Sequence, residues 1–275
     1  MKYIAVLLTV HNRKEKTLCC LQNLFKQEIP SDYRIEVYLT DDGCTDGTPE
    51  AIKAQFPQIN IIKGDGNLFW NRGMYTAWTA AAKNKDYDFY LWLNDDTMIK
   101  NQGINQIIQC SNTKHNQAII TGLISSIRDK KITTFGGRKN GIKVEKNGTM
   151  QSVDIMHGNM VLIPRYVFKI VGFNDPYYNH AYGDHDYSLT AHKRGIQIFT
   201  TNDFVGECEI DNKLPKSFDP SITLSKRLQI LKTPLAYAKP NEIFYYEKKH
   251  FNILRAILKV INVYIRCFFP KLWLK

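Results

Sequence analysis

What this sequence lacks narrows the field first. The 275-residue chain has six cysteines but no Cys-x-x-Cys pair, which excludes a zinc ribbon and a thioredoxin-type redox site. The cysteines read as reduced thiols of a cytosolic protein. No run of about 18 apolar residues occurs, so no helix is expected to span a membrane. Residues 1–8 lack a small-residue cleavage site and read as a first strand, not a signal peptide. Internal repeats and low-complexity segments are missing too. Acidic residues are scarce, 26 against 37 Lys and Arg for a net +11, but the deficit is local. Residues 226–275 hold eleven Lys and Arg against Glu242 and Glu247, which is +9 and leaves +2 for the body. With a nearly neutral body and no zinc-finger or RNA-motif signature, nucleic acid is not an expected partner.

What is present is an ordinary globular composition, 44% hydrophobic and 23% charged, long enough for one large domain or two small ones. Residues 3–9 are a continuous apolar strand. Residues 14–27 carry Leu18, Leu21, Leu24 and Phe25 at helical spacing. Residues 35–39 form a second strand, which ends in a polar turn at Asp41-Asp42-Gly43. Thr48 as N-cap and Pro49 at the first helical position open a helix. Residues 59–62 make a third strand, 71–83 an alanine-rich helix, and 89–93 a fourth strand. Strand and helix alternating at this pitch predict a parallel, doubly wound α/β sheet. Farther on, 101–110 reads as helix and 118–124 as strand. Residues 133–153 read as a β-hairpin or meander, and 160–164 as a short strand. A helix starts near Asp184 with Gly195 at its C′ position, and 196–200 is a last strand.

The end of the chain reads as an amphipathic helix. Advancing about 100° per residue from Phe251, Leu254, Leu258, Ile261, Ile265 and Phe268 fall on one side, with Ile253, Ile257 and Tyr264 beside them. Lys248, Arg255, Lys259 and Arg266 fall on the opposite flank, and Pro270 stops the helix. A basic amphipathic helix with aromatic ends suits an anionic membrane surface. The alternative is that the apolar face packs on the body or on a second subunit, as in a homodimer.

Three acidic sites then stand out. Asp41 and Asp42 follow the second strand, Asp95 and Asp96 follow the fourth, and Asp184 and Asp186 open the late helix. Ligands of open α/β sheets bind at the carboxyl ends of the strands. Adjacent carboxylates there need a cation or a helix N-terminus to be tolerated, so a metal site and a simple helix cap both remain open for Asp95 and Asp96. Transfer from a nucleotide diphosphate would use the whole set. Asp41 or Asp42 would accept from base or ribose. A Mg2+ or Mn2+ ion would neutralise the leaving diphosphate. A carboxylate base would face the acceptor hydroxyl.

Thr9-Val10-His11-Asn12-Arg13, Asp41-Asp42-Gly43-Cys44-Thr45-Asp46-Gly47-Thr48, Asn94-Asp95-Asp96-Thr97 and Gly183-Asp184-His185-Asp186-Tyr187-Ser188-Leu189 together resemble the inverting family-two glycosyltransferases of the GT-A fold. The motifs run in order over residues 3–210. The loop Gly64-Asp65-Gly66-Asn67-Leu68-Phe69-Trp70 is most similar to that of bacterial, rhamnosyltransferase-like members that build surface polysaccharides. The resemblance implies a GT-A catalytic domain over 1–215, with a nucleotide-sugar half (1–100) and an acceptor half (101–215), and a basic helical tail over 216–275. It implies a UDP- or dTDP-sugar donor, a divalent metal, inversion, and a saccharide or lipid-linked acceptor on the cytoplasmic face of the cell membrane. Asp184 takes the place of the base, with Asp186 positioning it or the acceptor. Asp96 is the metal ligand, with Asn94 where the first acid of an Asp-x-Asp motif stands. Thr9, His11, Asn12, Arg13, Asp41, Asp42, Gly66, Asn67, Asn71 and Asp95 would bind the nucleotide sugar. Trp70, His157, Gly158 and Asn159 would meet donor and acceptor, the glycine permitting close approach of a sugar. Trp70 could equally be a core residue, and His157 a satisfied loop histidine.

The chain departs from the family pattern at Gly183, where many members have Glu before the base, at Thr190 in place of a common Arg, and at Val10-His11. A haloacid-dehalogenase-type phosphatase would need an acid at position 94, where this chain has Asn. A non-enzymatic membrane- or nucleic-acid-binding protein, prompted by the net +11, and an inactive transferase fold are the remaining rivals.

Overall fold

The computed structural model describes residues 1–210 and 214–273. The elements follow the chain as β1 (Lys2–Val10), α1 (Lys14–Phe25), β2 (Tyr33–Asp41), α2 (Thr48–Gln55), β3 (Asn60–Lys63), α3 (Phe69–Asn84), β4 (Phe89–Leu93), β5 (Met98–Ile99), α4 (Gly103–Thr113), β6 (Ile119–Ser125), β7 (Thr133–Phe135), β8 (Gly137–Lys139) and β9 (Ile142–Lys143). Then come β10 (Ile155–Met156), β11 (Met160–Pro164), α5 (Arg165–Val171), α6 (Gly183–Lys193), β12 (Ile198–Glu207), α7 (Leu224–Leu231), α8 (Pro240–His250) and α9 (Ile253–Phe268).

The main sheet has nine strands, eight of them in the order β3-β2-β1-β4-β11-β6-β12-β5, with β7 on β6. The first four are parallel, as the alternation of strand and helix requires. β11 lies antiparallel between β4 and β6. Alternate side chains pack on opposite faces. Phe89, Leu91 and Leu93 join Leu8, Leu39 and Leu21 on one face, while Tyr90 and Trp92 join Leu7, Trp78 and Tyr187 on the other. β4 is therefore buried on both sides, which is why it reads as an uninterrupted apolar run. β8 and β9 form a hairpin in a separate small sheet. Its two-residue turn, Asn140-Gly141, has positive φ at both positions, as a type I′ turn demands.

Three expectations shift. Thr48 lies inside α2, not at its cap, because the first helical bond runs from Ala51 N–H to the Gly47 carbonyl at 3.1 Å and makes Gly47 the N-cap. The last strand runs on to Glu207, with irregular pairing between Thr200 and Gly206 that the polar Asn202-Asp203 pair conceals in the sequence. The terminal helix begins only after Asn252, whose side chain caps α9 by accepting from Arg255 N at 2.8 Å. Lys248 therefore belongs to α8 and not to the terminal helix.

α9 buries Val263 and Cys267 against Leu231 and Ile243, and Ala256 is buried on the same side of the helix. The opposite face leaves Leu254, Leu258, Ile261, Ile265 and Phe268 between 41% and 64% exposed. The alternative in which that face packs on the body is thereby overturned, because the small residues of the helix take the contact. Among the described residues no helix is long and apolar enough to cross a membrane.

Candidate active site

Two adjoining cavities, about 440 and 580 Å³, open at the carboxyl ends of β1, β2 and β4. Trp70, Asn94 and His180 line both. The first is lined by Thr9, His11, Arg13, Asp42, Gly66, Asp95 and Asp96 besides.

Asp42 fixes its rim. Oδ1 accepts from the backbone N–H of Gly66 (2.9 Å) and Leu68 (3.1 Å), and Oδ2 from Phe69 (2.8 Å). The end of β2 is thus locked to the 66–69 loop before any ligand arrives. His11 adds a bond from Nδ1–H to the Asp42 carbonyl, 2.6 Å. Four expected donor-site residues face elsewhere. Asp41 accepts from Cys44 N (2.9 Å) and supports the 43–45 turn. Asn12 does likewise through Thr45 N (2.7 Å). Asn67 is exposed, with its backbone N–H on Asp65. Asn71 is fully buried. Its Nδ2 donates to the carbonyls of Asp175 (2.8 Å) and Tyr178 (2.9 Å), and its Oδ1 accepts from Asn174 Nδ2 (2.8 Å).

The acids after β4 divide their tasks. Arg13 forks onto both, Nη1 to Asp95 Oδ1 at 3.0 Å and Nη2 to Asp96 Oδ2 at 2.6 Å. Asp95 turns inward and also accepts from Thr17 Oγ1 at 3.2 Å. Burial pushes its pKa up to about 6 against the pull of Arg13. Asp96 stays 29% exposed to the cavity. Asn94 Oδ1 accepts from Trp70 Nε1–H at 2.7 Å, and its backbone N–H donates to the Asn159 carbonyl at 2.9 Å. Asn94 thus ties Trp70 to the end of β4 through its side-chain oxygen and the 157–159 loop through its backbone. Among the described residues no cluster of three or more His, Cys, Asp or Glu could cage a metal. The donor set fits instead a Mg2+- or Mn2+-type ion held by one carboxylate together with phosphate oxygens.

The second cavity contains Asp184, His157, Gly158, Asn159, His185, Arg138 and Tyr237. Asp184 sits in the first turn of α6. Its Oδ2 accepts from Gly158 N at 3.0 Å and its Oδ1 from His185 N at 2.9 Å. Gly158 lines this cavity and permits a close approach of Trp70: a Cβ there would lie 2.5 Å from the indole Cζ2. Trp70 is part of the cavity wall and meets Trp92 edge-on at 5.8 Å. His157 Nδ1 accepts from Gly136 N at 3.2 Å, which leaves the proton on Nε2. Burial lowers its pKa to about 4 despite the nearby Asp184, so the ring is neutral at pH 7.

Asp186 is not brought to the cavity. It is 2% exposed on the far side of α6, where Oδ1 accepts from Tyr178 Oη (2.9 Å) and His250 Nε2 (2.7 Å) and Oδ2 from Lys249 Nζ (2.9 Å). Sequence reasoning missed His180, at the junction of the cavities, and Leu235 and Tyr237, which the C-terminal segment lends to their walls. His180 is open to the cavity yet walled in, and that desolvation lowers its pKa. A lone loop histidine carries no signal of its place.

A parallel half-sheet with acids at the ends of β2 and β4, and a third acid on a helix beside them, is the frame of a GT-A glycosyltransferase. The model of the family described as glycosyl transferase family 2 matches residues 5–172. The chain belongs to that family, and it is a glycosyltransferase. No curated protein matches it in sequence. Among solved structures, the mannosyltransferase PcManGT from Pyrobaculum calidifontis, in complex with GDP-Man and Mn2+, is 14% identical with a TM-score of 0.56, over 94% of this chain and 73% of that one. TarS 1–349 of S. aureus, in complex with UDP-GlcNAc, is 14% identical with a TM-score of 0.56, over 98% of this chain and 81% of that one. Against the longer S. aureus TarS chain, the match spans 91% of this chain but 44% of TarS. At such identities the likeness is one of fold.

Proposed function

We propose that this enzyme transfers a sugar, with inversion, from a UDP- or dTDP-sugar to a saccharide or lipid-linked saccharide, in the assembly of a surface polysaccharide. One observation carries the reading: Asp96 and Asp184 occupy two cavities that share Trp70, Asn94 and His180 as a common wall. The donor lies in the first cavity. Asp42 commits three of its roughly four acceptor sites to the 66–69 loop, which leaves one for a pyrimidine N–H. Arg13 offers its guanidinium to the diphosphate. A divalent cation held by Asp96 and the phosphate oxygens supplies neutralisation of the departing charge. The acceptor enters the second cavity, where Asp184 takes the proton of its attacking hydroxyl. The Gly158 N–H orients that carboxylate, and neutral His157 lines the same cavity, as does His185.

Residues 1–215 act as the catalytic unit in this reading, and residues 216–275 hold it on the cytoplasmic face of the cell membrane. The exposed apolar side of α9 and the +9 charge of residues 226–275 support that placement. A second copy of the chain covering the same face is the alternative. The test is mass-resolved transfer from a panel of nucleotide sugars. Asp184→Asn should lower the rate by about 10²–10⁴-fold, and a variant as fast as wild type would sink the assignment.

A further inference from the structure

A third cavity, about 380 Å³, lies away from the chemistry, between α7 and the turn that follows α9. Arg227 on α7 lines it and is 7% exposed. Its Nη1 donates to the carbonyls of Asp219 (3.2 Å) and Ile222 (2.9 Å). Its Nε is buried with no hydrogen-bond partner. The nearest acid, Asp219, turns its carboxylate to Ser221, 2.9 Å from the backbone N and 2.6 Å from Oγ. No carboxylate among the described residues lies within ion-pair distance of the guanidinium. An arginine cannot escape such a position by losing its proton, and a buried charge without a counter-charge is costly. An anion entering the cavity would remove that cost.

The walls say which anion. Lys271 stands exposed at the opening. Phe268, Phe269 and Leu272 line the rest and are 45%, 60% and 74% exposed, continuing the bare apolar side of α9. A site lined by two cations and an apolar, outward-facing rim matches a phosphate joined to hydrocarbon. We infer that Arg227 and Lys271 bind the headgroup phosphate of an anionic phospholipid whose acyl chains lie along Phe268, Phe269 and Leu272. This rests on the reading that α9 lies on a membrane, and it adds to it a defined lipid site that fixes the depth and rotation of the helix.

Short-chain lipid separates the two claims, because it needs no bilayer. Full-length protein is titrated calorimetrically with dihexanoyl-phosphatidylglycerol below its micelle concentration, and in parallel with dihexanoyl-phosphatidylcholine and inorganic phosphate. Wild type should bind the phosphatidylglycerol at least about tenfold more tightly than either other ligand, and Arg227→Gln should lose about tenfold. Lys271→Gln, at an exposed position that does not endanger folding, should weaken binding severalfold. Equal binding of inorganic phosphate would make the site a bare anion site, and equal binding of phosphatidylcholine would deny the charge any role; either overturns the inference. So does unaltered binding by Lys271→Gln together with folded Arg227→Gln. Sedimentation with phosphatidylglycerol vesicles reports on α9 separately: if Leu258→Asp abolishes it while short-chain binding persists, the two claims stand independently.

Discussion

Asp184 and Asp186 are two residues apart, and replacing each should fail in a different way. Asp186 is nearly fully buried and accepts from Tyr178, Lys249 and His250. Removing one member of a buried charged network costs about 3–5 kcal/mol. Asp186→Ala should fall near the lower end, about 3 kcal/mol, because Lys249 keeps Asp175 at 2.8 Å and is partly exposed. Asp186→Asn keeps one acceptor oxygen and should cost about 1–2 kcal/mol. Urea unfolding by circular dichroism measures both. Loss of activity in Asp186→Asn should track loss of folded protein, since α6 loses its tie to α8 but Asp184 keeps its cavity. Asp184→Asn should show the reverse, unfolding within about 1 kcal/mol of wild type and a collapse of transfer. If Asp186→Asn abolished transfer with stability unchanged, the carboxylate would be taking part in the reaction and the structural account of it would be wrong.

Gly183→Ala tests a steric claim with a clear sign. Alanine should favour a helix by about 1 kcal/mol, but its Cβ would fall 1.9 Å from Asn71 Oδ1, so a net loss of about 2 kcal/mol is expected in thermal or urea unfolding. His157→Gln tests the buried imidazole. The folded-state pKa is lowered from 6.5 to about 4, so wild-type stability falls as pH drops through that window, by up to about 3 kcal/mol. The variant should lack this fall. Asp95, whose raised pKa works in the opposite direction between about 4 and 6, is common to both proteins and cancels in the difference. Chelation with EDTA should reduce transfer by about 10²-fold or more, with recovery on adding Mn2+ or Mg2+. Asp96→Asn should blunt that recovery, and transfer indifferent to chelator would remove the metal from the reading.

β1 and β4 were legible because they lie inside the sheet, buried on both faces, and write themselves as apolar runs. β4 was read to the residue, and β1 to within one at either end. Direction was not legible: an apolar run such as Met160–Pro164 says nothing of whether it lies parallel or antiparallel to its neighbours. The break before α9 hid in a single capping asparagine. In the site, the acids stood out by position, but their partners lie far away in sequence. Nothing local distinguishes Asp184, whose bonds come from residues 158 and 185, from Asp186, whose bonds come from 178, 249 and 250. Asn71 was misplaced for the same reason. It is polar beside a cavity loop, and only the 174–178 segment folded over it shows that it serves the interior.

The contact between Asn71 and Gly183 has a consequence for descent. The two positions are 112 apart in number, yet the side chain of one occupies the volume that any side chain at the other would need. A lineage that acquires an acid before the base must first, or at once, surrender a full-sized residue at 71 and with it the hydrogen bonds that pin residues 174–178. The route between the two family patterns therefore requires position 71 to change before or together with position 183, and grafting Glu at 183 onto this scaffold calls for a redesigned partner at 71.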